Sequence, residues 1–108
     1  MSGAVRPLLL GLMLAWPAAA FGQGDAEHGS QLAAENCSRC HDVSPEGAFK
    51  TYPPSFASIA AYRSEDQIRA RIIFPPLHSA MPESSYFLMA YDINDLVAYI
   101  MSLEQSPK

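Results

Sequence analysis

The segment Cys37-Ser38-Arg39-Cys40-His41 constrains this chain more than any other feature. In a helical turn, residues i, i+3 and i+4 lie on one face, so two thiols and an imidazole are presented together. Cys-x-x-Cys-His is the attachment signature of a c-type haem. The thiols of Cys37 and Cys40 would then form thioether links to the two vinyl groups of one porphyrin, and His41 would be the proximal ligand of its iron. Three other uses of the residues compete. A thioredoxin-like Cys-x-x-Cys belongs in a βαβ chain, and no strong strand pattern is present. Zinc wants about two more ligands at suitable spacing, and only His28 and His78 remain. A disulfide between Cys37 and Cys40 is awkward in a helix and leaves His41 unexplained.

The 108 residues divide into two unlike pieces. Residues 1–22 begin with Arg6, continue through the uncharged apolar run from Leu8 to Trp16, break at Pro17, and end in Ala18-Ala19-Ala20-Phe21-Gly22. This is the order of a secretory signal peptide, cleaved near Ala20 or Gly22. The apolar run is short for a membrane span, which takes about 20 residues; the competing reading is an uncleaved N-terminal anchor, and a membrane is expected only through that uncleaved signal or through a partner. Export implies a periplasm-like or extracellular compartment. The formal charge is −4 over the whole chain, and removing Arg6 makes the remainder more acidic. An acidic chain without a basic stripe is a poor ligand for nucleic acid. Residues 23–108 form one small domain, and domains of this size often need a metal or cofactor to complete their core.

Helical signals dominate that domain. Residues 25–36 open with Asp25 and Glu27, acids that favour a helix N-terminus, and Gly29 within the pattern suits the close approach of another helix. Turn and extended signals follow at Ser44-Pro45-Glu46-Gly47 and Tyr52-Pro53-Pro54-Ser55, then a short helix over 55–62. Ser64-Glu65-Asp66-Gln67 reads as a capping box opening a helix that Pro75-Pro76 stops. A second irregular stretch runs from Leu77 to about Tyr91. Asp92 is placed to cap the last helix, where Ile93, Leu96, Val97, Ile100 and Leu103 recur at helical spacing.

A haem iron takes a second axial ligand or leaves an open site, with Met, His or nothing as the usual choices. Met81, Met89, Met101, His28 and His78 are the candidates. Met81 sits between Pro75-Pro76 and Pro82, in a loop able to carry a thioether to the opposite haem face, and is the expected ligand. His78, three residues away, is its main rival. Met89 and Met101 read as packing residues. Arg63, Arg69, Arg71, Lys50 and Tyr52 are candidates for the haem propionates, and surface charge accounts for most of them equally well.

Taken in order, Gly24-Asp25-Ala26-Glu27-His28-Gly29, the Cys37–His41 segment, Met81-Pro82 and Asp95-Leu96-Val97-Ala98-Tyr99-Ile100-Met101-Ser102-Leu103 resemble the small class I c-type cytochromes. The likeness spans nearly all of residues 23–108. It implies an all-α cytochrome c fold, with three to five short helices wrapped around one covalently bound haem c. In that family the first and last helices cross at a glycine, and Gly29 and the Leu96/Tyr99 face match those positions. The aromatic often found in the first helix falls at Ala33, which implies a looser crossing. The family also has a Gly-Pro segment whose proline carbonyl accepts a hydrogen bond from the ligand imidazole. Pro54 matches that proline, while Pro53 replaces the glycine.

The function this implies is that of a soluble periplasmic monohaem cytochrome carrying single electrons between redox partner proteins. His41 and Met81 would hold the iron. No nucleophile–base pair stands out, so an enzyme is not expected. The rival readings are a haem domain with an open or labile sixth site, acting as gas sensor or enzyme, and a haem subunit of a dehydrogenase or oxidase complex.

Overall fold

The computed structural model describes residues 2–5, 11, 24–50, 52–77 and 79–104. Ala20, Gly22 and most of the expected leader lie outside the described residues, as does His78. The described chain is all helical: α1 (Ala26–Asn36), α2 (Phe56–Tyr62), α3 (Glu65–Ile73), one 3-10 turn (Ser84–Tyr86) and α4 (Ala90–Ser102). No β-strand is present among the described residues. No described helix is long and apolar enough to cross a membrane.

Each helix start has a local cause. The first N–H groups of a helix have no partner within it and need acceptors from outside. Asp25 Oδ1 accepts from the N–H groups of Glu27 (3.0 Å) and His28 (3.2 Å) at the start of α1. Ser55 Oγ accepts from Ser58 N (3.1 Å) and so caps α2. At α3 the capping box is complete: Ser64 Oγ accepts from Gln67 N (3.2 Å), and Gln67 Oε1 accepts from Ser64 N (2.9 Å). The last helix begins three residues earlier than a cap at Asp92 would place it. Met89 is the capping residue and Asp92 lies one turn inside, where its carboxylate accepts from Met89 N (2.9 Å). An acidic group in the first turn thus serves the helix end without being the first residue outside it.

The amphipathic α4 is the element on which α1, α2 and α3 all pack. Its buried face, Ile93, Leu96, Val97, Tyr99 and Ile100, meets Leu32 and Ala33 of α1, Phe56 and Ala60 of α2, and Ile68 and Ile72 of α3 in one core. Ala33 is 0% exposed, so the small residue at the usual aromatic position is fully covered.

Helices α1 and α4 cross at contact distance. A Cβ at Gly29 would overlap the carbonyl of Asp95 and lie 2.8 Å from Tyr99 Cβ. Gly24 meets the neighbouring carbonyl of Asn94 in the same way. A polar bracket locks the crossing. Asp95 Oδ1 accepts from the backbone N–H of Asp25 (2.7 Å), while Oδ2 pairs with His28 Nδ1 (2.6 Å). The hydrogen bond to Asp95 raises the pKa of His28 above its ordinary 6.5. Partial desolvation pushes Asp95 upward, but the hydrogen bonds from His28 and Asp25 outweigh it, leaving its carboxyl below 3.8.

Two outcomes follow from this crossing. Gly29→Ala drives a methyl into the α4 backbone, and equilibrium denaturation should show a loss of about 3 kcal/mol, the upper part of the range for overpacking. The bracket should also depend on pH at both ends. The His28 contribution is complete below 6.5 and fades as pH climbs through its raised folded value. The Asp95 contribution is complete above 3.8 and fades as pH falls through its lowered folded value. NMR titration of the His28 ring should give a midpoint above 6.5, returning towards that value in Asp95→Asn.

Candidate functional site

The two cysteines and His41 sit where α1 stops. Cys37 closes α1, with its N–H on Ala33 O (2.9 Å). The carbonyls at the end of that helix are taken by side chains: Asn36 Nδ2 donates to Leu32 O (2.9 Å) and Ser38 Oγ to Ala34 O (2.5 Å). The chain then makes one separate turn. Both Cys40 N (3.2 Å) and His41 N (2.9 Å) donate to the Cys37 carbonyl. The motif is therefore a single turn appended to α1, with the i, i+3, i+4 spacing that places three side chains together. Cys37 is half-buried and Cys40 exposed, and both are free thiols. Burial pushes the Cys37 thiol up to about 11.

The loop after the motif is folded back onto it. Asp42 Oδ1 accepts from both the N–H (3.1 Å) and the hydroxyl (2.9 Å) of Ser44. Those bonds hold the Asp42 carboxyl below its ordinary range. The Asp42 carbonyl accepts from Phe56 N (2.9 Å), closing the loop at its base, and Tyr99 Oη of α4 donates to Val43 O (2.5 Å). With its ends tied, the loop sets the carbonyl of Pro54 2.6 Å from His41 Nδ1. The ring of Phe56 lies 5.5 Å from the imidazole, tilted by 53°, and Tyr99 stands behind Phe56 at 6.4 Å. Pro53, where a glycine is usual, carries a cis peptide bond from Tyr52.

Met81 lies on the segment between α3 and the 3-10 turn, half-buried against the core. Met101 packs against the same core from α4, and Met89 is exposed at the start of that helix. His28, a candidate ligand by composition, has its Nδ1 on Asp95. Arg69, a candidate for propionates, donates to Asn94 Oδ1 (2.5 Å) and Glu65 Oε1 (3.2 Å), linking α3 to α4.

Two contacts and one unpartnered hydroxyl were not legible in the sequence. The His28–Asp95–Asp25 bracket joins residues 67 and 70 positions apart, and no local pattern announces such a pair. Ser84 Oγ donates to Ile72 O (2.7 Å); the Pro75-Pro76 pair, which removes two N–H donors, signals the need but not the donor. Ser79 Oγ is buried with no hydrogen-bond partner among the described residues.

These residues fit a haem. The Pro54 carbonyl engages His41 Nδ1 and leaves Nε2 available to a metal. The turn offers two free thiols at the required spacing. Phe49, Tyr52, Phe74, Leu77 and Phe87 lie exposed on the two irregular segments, which leaves apolar side chains there for a porphyrin to cover. The Ser79 hydroxyl suits a group that brings acceptor oxygens, since a buried polar atom normally has a partner. Zinc fits poorly: a structural site takes four ligands, and among the described residues no group of three or more His, Cys, Asp or Glu side chains is arranged to hold a metal ion.

Comparison with known proteins agrees. No curated protein and no solved structure matches the chain, but the family model described as Cytochrome c matches residues 26–104. That stretch takes in all four helices, the cysteine turn and the Met81 segment, and on it the chain belongs to the cytochrome c family, electron-transfer proteins that bind haem c covalently.

Proposed function

We propose that the protein is an exported, monohaem electron carrier, with Cys37 and Cys40 as the thioether links, His41 as proximal ligand and Met81 as distal ligand. The observation that carries this reading is the 2.6 Å contact between His41 Nδ1 and the Pro54 carbonyl, made by the histidine that directly follows the cysteine pair. When bound, the haem supplies the one-electron ferric/ferrous change at its iron.

The remaining chemistry belongs to the chain. A carbonyl on Nδ1 fixes the ring's tautomer and orientation and raises its basicity as a ligand. Phe56 of α2 packs on that ring and Tyr99 of α4 stands behind Phe56, which restricts rearrangement of the imidazole. Little rearrangement between states is what a carrier needs. The burial that pushes the Cys37 thiol up suits a thioether, which has no charge to lose or gain. Met81 offers a soft sulfur, and a Met/His pair raises the reduction potential. The prolines flanking the Met81 segment limit its freedom, so less ordering is needed to hold the sulfur in place. The partners would be donor and acceptor proteins meeting the chain through small, transient interfaces. The acidic balance of the chain favours a basic partner surface. The signal-like order of residues 1–22 supports a periplasmic location with the leader removed.

Four measurements test this. The ferric wild-type protein should show the weak long-wavelength band of sulfur bound to iron. In Met81→Ala the band should vanish, cyanide should bind readily and the potential should fall; in Met89→Ala all three should stay as in wild type. If the wild type lacks the band and binds cyanide freely, the open-site reading replaces the carrier. Cys37→Ala/Cys40→Ala should lose its haem on denaturation, whereas wild type should retain it. Retention by the double variant would remove the thioether assignment.

A further inference from the structure

We infer that Ser84 is a positioning residue for Met81, tying shut the loop that carries it; the inference rests on the reading of Met81 as the distal ligand. In a continuing helix the carbonyls of Arg71 and Ile72 would accept from residues 75 and 76. Both are proline and have no N–H. Helix α3 therefore ends at Ile73 with orphan carbonyls built into its sequence. Ile72 is only 6% exposed, so water is a poor substitute partner.

The donor comes from twelve residues further on. Ser84, itself 3% exposed, gives its hydroxyl proton to the Ile72 carbonyl at 2.7 Å. Its own carbonyl accepts from Phe87 N (3.0 Å) and Leu88 N (2.8 Å), and Leu88 is part of the core. Ser84 thus joins the end of α3 to the chain leading into α4 through both its polar groups. Residues 74–83 become a loop with its two ends pinned at one buried point. Met81 lies three residues from that pin and packs on the core, while Ser79 N on Pro76 O (3.1 Å) tightens the loop's first half. A pinned loop has already given up the closure entropy that ordering Met81 would otherwise cost.

The test uses the haem-loaded ferric protein, titrated with imidazole while the sulfur–iron band is followed. Imidazole must displace Met81, so its apparent affinity scales with the fraction of open loop. Ser84→Ala should bind imidazole about tenfold more tightly, the effect of losing one buried hydrogen bond from the closed form. Ser84→Thr, which keeps the hydroxyl, should return to the wild-type affinity. Ser84→Cys, which puts a weaker donor at the same place, serves if Ser84→Ala does not fold; its imidazole affinity should rise above wild type by less than about tenfold. Wild-type imidazole affinity in Ser84→Cys overturns the assignment, as does wild-type affinity in a folded Ser84→Ala that keeps its band. Loss of the inference in this way leaves Met81 as ligand. Absence of the band from the wild type instead overturns the Met81 reading, and the role of Ser84 with it.

Discussion

Where α1 meets α4, a hydrogen atom is the largest side chain that Gly29 can carry, because the Asp95 carbonyl stands directly against it. The rest of the domain is arranged around that contact. Close approach brings Leu32 and Ala33 onto the buried face of α4, and it carries the Asp95 carboxylate to within reach of Asp25 N and His28 Nδ1. It also sets the direction in which α1 ends, and the end of α1 is where the cysteine turn begins. Any loosening of the crossing would therefore move Cys37, Cys40 and His41 relative to the core as a unit.

Between the helices, order comes from a small number of hydrogen bonds at loop bases. The segment after His41 is closed by Phe56 N on Asp42 O and held to α4 by Tyr99. The segment after α3 is closed by Ser84 on Ile72. Both loops are rich in proline, so neither is able to satisfy itself by a regular ladder. Each is fastened instead at one buried or half-buried point near a helix end. Such a construction leaves the loop interiors free to present apolar side chains, and Phe49, Tyr52, Phe74 and Leu77 are exposed there. A small core with exposed aromatics in its loops is the arrangement expected of a domain that shares its apolar surface with a bound porphyrin.

Electron transfer by a cytochrome c protein asks for constancy more than for catalysis. Here the imidazole beside the cysteine pair is held from one side by a carbonyl and from another by an aromatic ring. Both supports belong to Pro54 and Phe56, which lie on either side of the cap of α2. The fully buried Ser55 between them bonds to Ser58 through its hydroxyl. The helix cap therefore also fixes the geometry of the site.

Local chemistry accounts for the features legible in the chain. The cysteine turn, the caps at Asp25, Ser55 and Ser64, the stop at Pro75-Pro76 and the apolar face of α4 all depend on residues within about four positions of one another. The last helix began at Ala90 and not beside Asp92 because an acid one turn inside a helix serves the same orphan N–H groups as one at its edge. Resemblance to c-type cytochromes carried the reading further, to the Gly29 crossing and to Pro54 as a partner for the imidazole. Which distant groups meet was set by how the helices pack. Asp95 reaches His28 across 67 positions, Tyr99 reaches Val43 across 56 and Ser84 reaches Ile72 across 12. The sequence marks Ile72 as needing a donor, but a hydroxyl carries no mark of the carbonyl it will find, because that depends on where the packing of three helices against α4 leaves the chain.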